Sequence, residues 1–331
     1  MTFPVTESTL SADQLNLYLQ EKYHLGKAAK CSLLRTGMNH LYLVDDPEHS
    51  IKYVFRVYSY GWRSRTEISE ELRLLELLKE NTIPVSFPIV DKQQSYIQEL
   101  QAPEGLRYGV LFSFAMGIKI PLFSPEASYT IGRTMAQMHR ATYQFGIDRI
   151  HYDATTLLHQ PVQRIHQFFN QPSQEKEFLT RIADSLQTEF ATFRQMELRT
   201  GAVHMDIWFD NLHIENDQTL TIFDFDFAGN GWLCLDIAYF SYQLFQTNLD
   251  LDLFQNKMDQ FLQGYESVHR LSNDEKKIIP ILSLGIMVFY LGIQCQTFNT
   301  WSNVFLNHGH LIRYTNGMKR WINHHQLKSM M

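Results

Sequence analysis

Acid, amide and imidazole side chains cluster between positions 204 and 224. The sequence places His204 and Asp206 two residues apart, Asn211 five residues later, and Asp224 at the end of the hydrophobic segment 220–223. A carboxylate can accept the proton of a hydroxyl, and carboxylate and amide oxygens are the ligands that magnesium prefers. Phosphoryl transfer needs this base and these ligands, and little covalent chemistry from the protein. The pattern predicts Asp206 as a catalytic base, Asn211 and Asp224 as Mg²⁺ ligands, and His204 as a brace for the loop.

Taken singly, each of these residues indicates little. Asp and Asn between hydrophobic segments are most often turn residues, and a short motif of this kind also arises by chance. The occurrence of Asp206, Asn211 and Asp224 together, in this order and beside a hydrophobic strand, favours the catalytic interpretation.

The same block resembles known kinase motifs. Residues 204–211 match the H-x-D-x-x-x-x-N catalytic loop of protein kinases, and residues 224–226 read D-F-D where those enzymes have D-F-G. Met205 stands where protein kinases have a basic residue and where the aminoglycoside phosphotransferase and choline kinase superfamily has Gly. Residues 224–226 and the D-I-A of 236–238 are similar to that superfamily's I-D-F-[DE] and D-[LI]-A segments. The chain therefore resembles the small-molecule kinases more than the eukaryotic protein kinases. Segments 55–58, 83–85 and 261–265, together with Trp62, Ile68 and Glu71, also look like the homoserine kinase and bacterial stress-response Ser/Thr kinase branch of this superfamily.

The resemblance spans about residues 31 to 240 and implies a fold, a domain division and cofactors. The implied class is α+β, a bilobal protein-kinase-like fold. The small N-lobe would cover residues 1–115, with an antiparallel sheet and one helix, and the larger, mainly helical C-lobe would cover 116–331. The implied cofactors are ATP and Mg²⁺.

The resemblance also implies a nucleotide site in the first 115 residues. Arg56 occupies the position of the kinase strand lysine, where a guanidinium could fork onto phosphate oxygens. Its expected partner is Glu71, which lies beside the apolar stripe of the predicted helix 66–80, with Glu70 as the alternative. The main chain at the end of the following strand is expected to contact adenine through Ser113, Phe114 and Ala115.

Hydrophobic periodicity predicts the elements that position these residues. Strands are expected at 31–34, 41–44 and 52–58, and helices at 11–24, 66–80, 129–139, 175–197, 236–245, 251–265 and 274–297. The segment Thr36–Asn39 lies where a kinase has its phosphate-covering loop, but its single Gly fits a plain hairpin turn equally well. The apolar segment 278–295 is nearly long enough to span a bilayer, although its Pro, Gly and Ser residues favour a buried helix.

Composition narrows the class of protein. Of the 331 residues 44% are hydrophobic and 19% are charged, which predicts a folded protein large enough for two lobes. The net charge of -6 and the lack of a basic cluster disfavour nucleic-acid partners. The three widely spaced cysteines, and a start without a signal-peptide pattern, predict a cytoplasmic protein without a membrane partner. The oligomeric state is not defined by these features.

The sequence thus predicts transfer of the γ-phosphoryl group of ATP to a hydroxyl of a small molecule, such as an amino alcohol or sugar. A protein Ser/Thr kinase is the second interpretation. An aminoglycoside acceptor has less support, because residues 141–200 hold seven acids against six bases and offer no strongly acidic surface. A catalytically silent nucleotide-binding protein, and a phosphohydrolase using the late histidines at 308, 310, 324 and 325, are the alternatives from other classes.

Overall fold

The structure, a computed structural model, describes residues 3–193, 195–298 and 305–327. The chain divides into two compact units. The N-terminal unit contains residues 3–80 and 85–115, and the C-terminal unit contains 81–84 and the described residues from 116 onward. An antiparallel sheet in the first unit and a set of helices in the second confirm the α+β class.

An antiparallel sheet forms the framework of the N-terminal unit. Its strands are β1 (Lys30–Arg35), β2 (Asn39–Asp46), β3 (Ile51–Tyr58), β4 (Pro88–Ile89), β5 (Ile97–Ala102) and β6 (Gly105–Ser113). The order is β1-β2-β3-β6, and both β4 and β5 pair with the other edge of β6. The three strands predicted from the sequence lie inside β1, β2 and β3. Only residues 36–38 connect β1 to β2, so the segment that could cover phosphates is a short connection between paired strands.

One face of this sheet is covered by helix α1 (Ala12–Lys22), which begins after the N-cap residue Ser11. Strand β2 alternates between half-buried and buried residues, as expected for a strand with one face in a core. Its buried Tyr42 and Val44 pack in one cluster with Leu15 and Leu19 of the helix. The buried residues of β2, which alternate along the strand, therefore pack against the buried residues of α1 in one hydrophobic core.

Helix α2 (Arg65–Glu80) carries the predicted apolar stripe, and Ile68, Leu72 and Leu78 on it are buried. Glu71 lies on the same buried side and has no exposed surface. A carboxylate buried this completely needs a cation or several donors. The side chain of Glu71 therefore lies in the interior of the N-terminal unit.

Helices dominate the C-terminal unit. They are α3 (Pro125–Thr142), α4 (Gln160–Phe168), α5 (Gln174–Phe193), α6 (Cys234–Thr247), α7 (Leu251–Glu266), α8 (Asn273–Gln296) and α9 (His308–His324). The sequence predicted the cores of α3, α5, α6, α7 and α8. It missed α4, which continues from a π-helical turn at Thr155–His159, and α9, whose polar first half lacks a clear apolar period.

Helices α3 and α7 approach each other closely through paired glycines. A Cβ on Gly132 would collide with the carbonyl of Phe261, and a Cβ on Gly264 would collide with the carbonyl of Tyr129. The two backbones therefore pack at a distance that only glycine permits.

Helix α8 contains the segment that was long and apolar enough to span a membrane. Within its most hydrophobic window 83% of the residues are buried inside the fold. Ser283 of this helix donates a hydrogen bond to the carbonyl of Ala238 in α6 at 2.8 Å. The helix is the central core helix of the C-terminal unit, as the Gly and Ser content of its sequence indicated.

Two short pairs of antiparallel strands flank the polar residues of segment 204–224 in the C-terminal unit. They are formed by β7 (Thr200–Val203) with β10 (Gly229–Trp232), and by β8 (Leu212–Glu215) with β9 (Thr219–Ile222). The polar residues found in the sequence lie in the loops that leave these strands. Since both pairs are anchored in the core, the loops have fixed ends.

Candidate active site

The loop between β7 and β8 carries Asp206 and Asn211. Asp206 follows β7 by three residues, and Asn211 ends a 3₁₀ turn immediately before β8. The Asn211 amide donates to Oδ2 of Asp206 at 2.8 Å and to its backbone oxygen at 3.0 Å. The structure therefore places the expected base against one of the expected metal ligands.

The β8-β9 hairpin brings Asp224 close to Asn211. Leu212 pairs with Ile222, and the amide of Phe223 donates to the carbonyl of Asn211 at 3.1 Å. Asp224 follows directly and has a φ of 67°, a left-handed conformation that is uncommon for residues other than glycine. The hairpin register thus sets Asp224 beside Asn211, and the unusual backbone turns the chain away from the strand.

His204 links the two loops. Its Nδ1 accepts a hydrogen bond from the amide of Asp206 at 3.1 Å, and its Nε2 lies 3.2 Å from the carbonyl of Phe223. Both contacts are satisfied together only by a neutral ring that carries its proton on Nε2. Burial lowers the pKa of His204, which favours that neutral form. A buried imidazole with both nitrogens occupied in this way holds the loops together and does not face a substrate.

A second buried carboxylate, Asp236 in the first turn of α6, anchors the backbone before the base. Its Oδ1 accepts from the amide of Met205 at 2.6 Å, and its Oδ2 accepts from the amide of His204 and from Nε2 of His139, both at 3.0 Å. Burial acts to raise the pKa of Asp236, but the hydrogen bond and charge of His139 outweigh it and leave that pKa below its ordinary value. The other nitrogen of His139 lies 2.8 Å from the Tyr265 hydroxyl.

The Asp206 side chain keeps some contact with solvent but is closely surrounded by protein, and the carboxylate of Asp224 lies near enough to act on its charge. Burial, with a further contribution from the charge of Asp224, raises the pKa of Asp206 to about 8, although hydrogen bonds from Tyr239 and Asn211 act in the opposite direction. The Tyr239 hydroxyl donates to Oδ1 of Asp206 at 2.5 Å. Because the charge of Asp224 disfavours the ionised form of Asp206, a cation bound beside the two carboxylates would favour that ionised form.

The carboxylate oxygens of Asp224 and the amide oxygen of Asn211 are ligands of the kind that hard divalent cations such as magnesium and calcium prefer. No group of three or more His, Cys, Asp or Glu side chains within the described ranges is arranged to hold a metal ion. Magnesium commonly binds through one or two protein oxygens together with phosphates and water, so a complete protein cage is not expected. The same result gives no support, within those ranges, to a metal centre built from the histidines of α9 or from His325.

The loop after Asp224 is held by two residues that precede α4. The guanidinium of Arg149 donates to the carbonyl of Phe225 at 3.0 Å and to the carbonyl of Asp226, and the Tyr152 hydroxyl donates to the carbonyl of Phe227. Arg149 is only 7% exposed. Three successive carbonyls are thus satisfied by side chains, which fixes the turn in which Asp224 takes its left-handed conformation.

In the N-terminal unit, Arg56 and Glu71 form a buried ion pair. Nη1 of Arg56 lies 2.9 Å from Oε1 of Glu71, and the Tyr58 hydroxyl donates to Oε2 at 3.1 Å. Glu70, the alternative partner, instead pairs with Arg73 on the surface of α2 at 2.6 Å. The choice follows from helical position, because Glu71 lies on the buried stripe of α2 and Glu70 lies beside it.

The main chain at the end of β6 is hydrogen-bonded within the N-terminal unit. The amide of Ser113 donates to the carbonyl of Phe87 at 2.9 Å, and its carbonyl accepts from the hydroxyl of Ser86. These bonds tie the main chain of Ser113 to the segment before β4 and give it a structural role. Phe114 and Ala115 follow after the strand has ended.

Comparison with known proteins gives the family. The model of a family described as "Phosphotransferase enzyme family" matches residues 32–271. The chain belongs to this family. It is therefore a phosphotransferase of the aminoglycoside phosphotransferase and choline kinase superfamily, which confirms the resemblance found in the sequence motifs.

Relatives of this phosphotransferase include proteins of known and unknown activity. An uncharacterised protein of Synechocystis sp. is 28% identical over 89% of the chain and 81% of its own length. A homoserine kinase of Rhizobium meliloti is 29% identical over 54% of each chain. Among solved structures, a microcompartment-associated aminopropanol kinase superposes with a TM-score of 0.75 at 19% identity, covering 96% of this chain and 98% of its own. The amicoumacin kinase hAmiN, solved with AMP-PNP and Ca²⁺, also gives 0.75, at 18% identity over 95% and 94% of the two chains.

Sequence reasoning missed several residues of this phosphotransferase site. Asp236 was found only as part of a motif, and Arg149, Tyr152, Tyr239 and Tyr290 were not singled out. Each acts on a partner more than 30 residues away. A motif search could have flagged Asp236 alone, because the others stand outside any short pattern with known chemistry.

Proposed function

We propose that this phosphotransferase transfers the γ-phosphoryl group of ATP to a hydroxyl of a small molecule, in a magnesium-dependent reaction in the cytoplasm. The observation that carries the proposal is the group formed by Asp206, Asn211 and Asp224. Asp206 is fixed by Asn211, and the hairpin sets Asp224 beside Asn211. This is the donor set that phosphoryl transfer requires.

In the proposed reaction, Asp206 accepts the proton of the acceptor hydroxyl as its oxygen bonds to the γ-phosphorus. The bond from that phosphorus to the oxygen bridging to the β-phosphate breaks, and ADP leaves with the electron pair. Magnesium, when bound by Asn211 and Asp224, would neutralise charge on the phosphate oxygens. His204 and Asp236 keep the loop in place through the amides of residues 204–206.

We further propose roles for the residues of the N-terminal unit. Arg56 would contact phosphate oxygens, and Glu71 would hold the guanidinium through their buried pair. Phe114 and Ala115 would contact the nucleotide base through their main chain. Ser113 is left out of this set because its main chain is already bonded to residues 86 and 87.

An amino alcohol is the acceptor that we expect first. The relatives named homoserine kinase and the structural neighbour named aminopropanol kinase are both named for molecules that carry a hydroxyl and an amino group. The identities are low, so the names support a class of acceptor and not one compound.

The test is a phosphorylation screen of the purified protein with Mg²⁺ and ATP. Acceptors would include amino alcohols, homoserine, sugars, aminoglycosides and a protein substrate, with ADP release and product mass as the two readouts. We expect turnover with at least one amino alcohol and a loss of about 100- to 10,000-fold in kcat for Asp206→Asn, the range for removal of a general base. Asp184→Asn, on the exposed side of α5, is the matched control and should keep wild-type activity.

Three results would contradict the proposal. Full activity of Asp206→Asn would remove Asp206 from the mechanism. Phosphorylation of the protein substrate alone would favour the Ser/Thr kinase alternative. ATP binding without turnover on any acceptor would favour a silent nucleotide-binding protein.

A further inference from the structure

The carboxylate of Asp206 is held from both sides. Asn211 donates to Oδ2 at 2.8 Å, and the hydroxyl of Tyr239 donates to Oδ1 at 2.5 Å. A carboxylate with one donor on each oxygen cannot rotate without breaking a hydrogen bond. Since each oxygen offers about two acceptor positions, one position on each remains for an incoming hydroxyl.

The side chain of Tyr239 is itself immobilised. It is 3% exposed and its ring stacks on that of Tyr290, with centroids 5.1 Å apart and an interplanar angle of 29°. The Tyr290 hydroxyl donates to the carbonyl of Met205 at 3.0 Å, directly beside the base in the chain. Phe227 packs against Tyr290 from another direction, at 5.4 Å between ring centroids. The phenol is therefore supported by packed rings and has a defined position.

Helix α6 supports the base twice from one face. Residues three apart in a helix lie on the same side, so Asp236 and Tyr239 point in a common direction. Asp236 binds the amides of His204 and Met205, and Tyr239 binds the carboxylate of Asp206. One helix thus fixes both the backbone and the side chain of the catalytic loop.

We propose that Tyr239 is a positioning residue that fixes the orientation of the Asp206 carboxylate for proton acceptance from the acceptor hydroxyl. This inference rests on the proposed function of Asp206 as the base. Its physical reason is geometric, because a general base works only when a free acceptor position points at the hydroxyl, and small misplacements can cost about 100-fold in rate. A rotated carboxylate in a variant would still be present but would point elsewhere.

The test compares Tyr239→Phe with Tyr42→Phe. Both remove one hydroxyl from a buried tyrosine, and the hydroxyl of Tyr42 donates to the backbone carbonyl of Leu10 at 2.8 Å, in the core of the N-terminal unit. We expect Tyr239→Phe to lower kcat by about 10- to 100-fold, with the acceptor KM and the affinity for ADP, measured by calorimetry, changed by less than about threefold. Tyr42→Phe should lose similar thermal stability, because it also leaves a backbone carbonyl without its donor, yet keep the wild-type kcat.

Crystal structures of the wild type and of Tyr239→Phe provide a second measurement that needs no acceptor. The proposal expects the Asp206 carboxylate to turn from its wild-type orientation in the variant. An unchanged carboxylate, or a kcat equal to that of Tyr42→Phe, would reduce Tyr239 to a packing residue and overturn the inference. A wild-type protein that phosphorylates no acceptor would contradict the proposed function instead, and the carboxylate orientation in the two structures would then decide the positioning role alone.

Discussion

Met205 gives a sharp test of the backbone at the catalytic loop. Its φ is 69°, in the left-handed region, and its side chain has no exposed surface. The superfamily motif has Gly at this position, and the left-handed backbone supplies a physical reason for that preference. We predict that Met205→Gly will be more stable than Met205→Ala, which reverses the usual order of these two residues.

The magnitude follows from two opposing terms. A left-handed backbone costs an L-residue about 1–2 kcal/mol, and glycine avoids this cost. Glycine loses about 0.5–1 kcal/mol more than alanine through its conformational freedom in the unfolded chain. The difference leaves Met205→Gly more stable than Met205→Ala by up to about 1.5 kcal/mol, with a central value of about 0.75 kcal/mol. Both variants lose the buried side chain and should be about 2–5 kcal/mol less stable than the wild type.

The assay is urea unfolding of the two variants, followed by tryptophan fluorescence, with equal m-values as a condition for the comparison. The matched pair Gln187→Ala and Gln187→Gly lies on the exposed side of α5 in the same unit. There glycine should be less stable than alanine by about 1 kcal/mol. If position 205 showed the same order and size as position 187, the argument from left-handed geometry would be wrong.

Three further predictions concern the site and its support. Asp224→Ala should abolish the effect of magnesium on nucleotide affinity while leaving the circular dichroism spectrum unchanged. Calorimetry of ADP binding across a magnesium titration measures this effect. An unaltered magnesium dependence would exclude Asp224 as a ligand. Gly132→Ala should lower the free energy of unfolding by at least about 1–3 kcal/mol, because its Cβ would collide with the backbone of α7. Gly146→Ala is the control and should lower it by less, because its Cβ would meet only the side chain of Asn230, at 3.8 Å. Equal effects of the two substitutions in urea unfolding would contradict the close packing of the helices. The fold lowers the pKa of Asp236, so the ionised carboxylate stabilises the protein at pH values above its unfolded-state pKa of about 4, and this stability is lost as pH falls through the folded-state pKa. In acid unfolding experiments, the difference in unfolding free energy between wild type and Asp236→Asn should therefore narrow below about pH 4. A difference that widens there would refute the assignment.

The sequence alone determined the chemistry and the local elements. The order and spacing of Asp206, Asn211 and Asp224 are local properties of one segment, so the motif could be found without coordinates. The helical period of α2 likewise limited the partner of Arg56 to Glu70 or Glu71. Hydrophobic patterns of this kind report which side of an element faces a core.

The tertiary structure decided which distant groups meet. The choice of Glu71 over Glu70 depended on the burial of one face of α2, and the structural role of Ser113 depended on pairing with residues 86 and 87. Tyr239 and Arg149 reach Asp206 and the loop after Asp224 across 33 and 76 or more residues of chain. Such contacts leave no pattern in the sequence, because they are set by the packing of helices and loops whose order along the chain does not fix their neighbours. The identity of Asp206 as the base can therefore be predicted from a short motif, whereas the orientation of its carboxylate depends on contacts that only the tertiary structure provides.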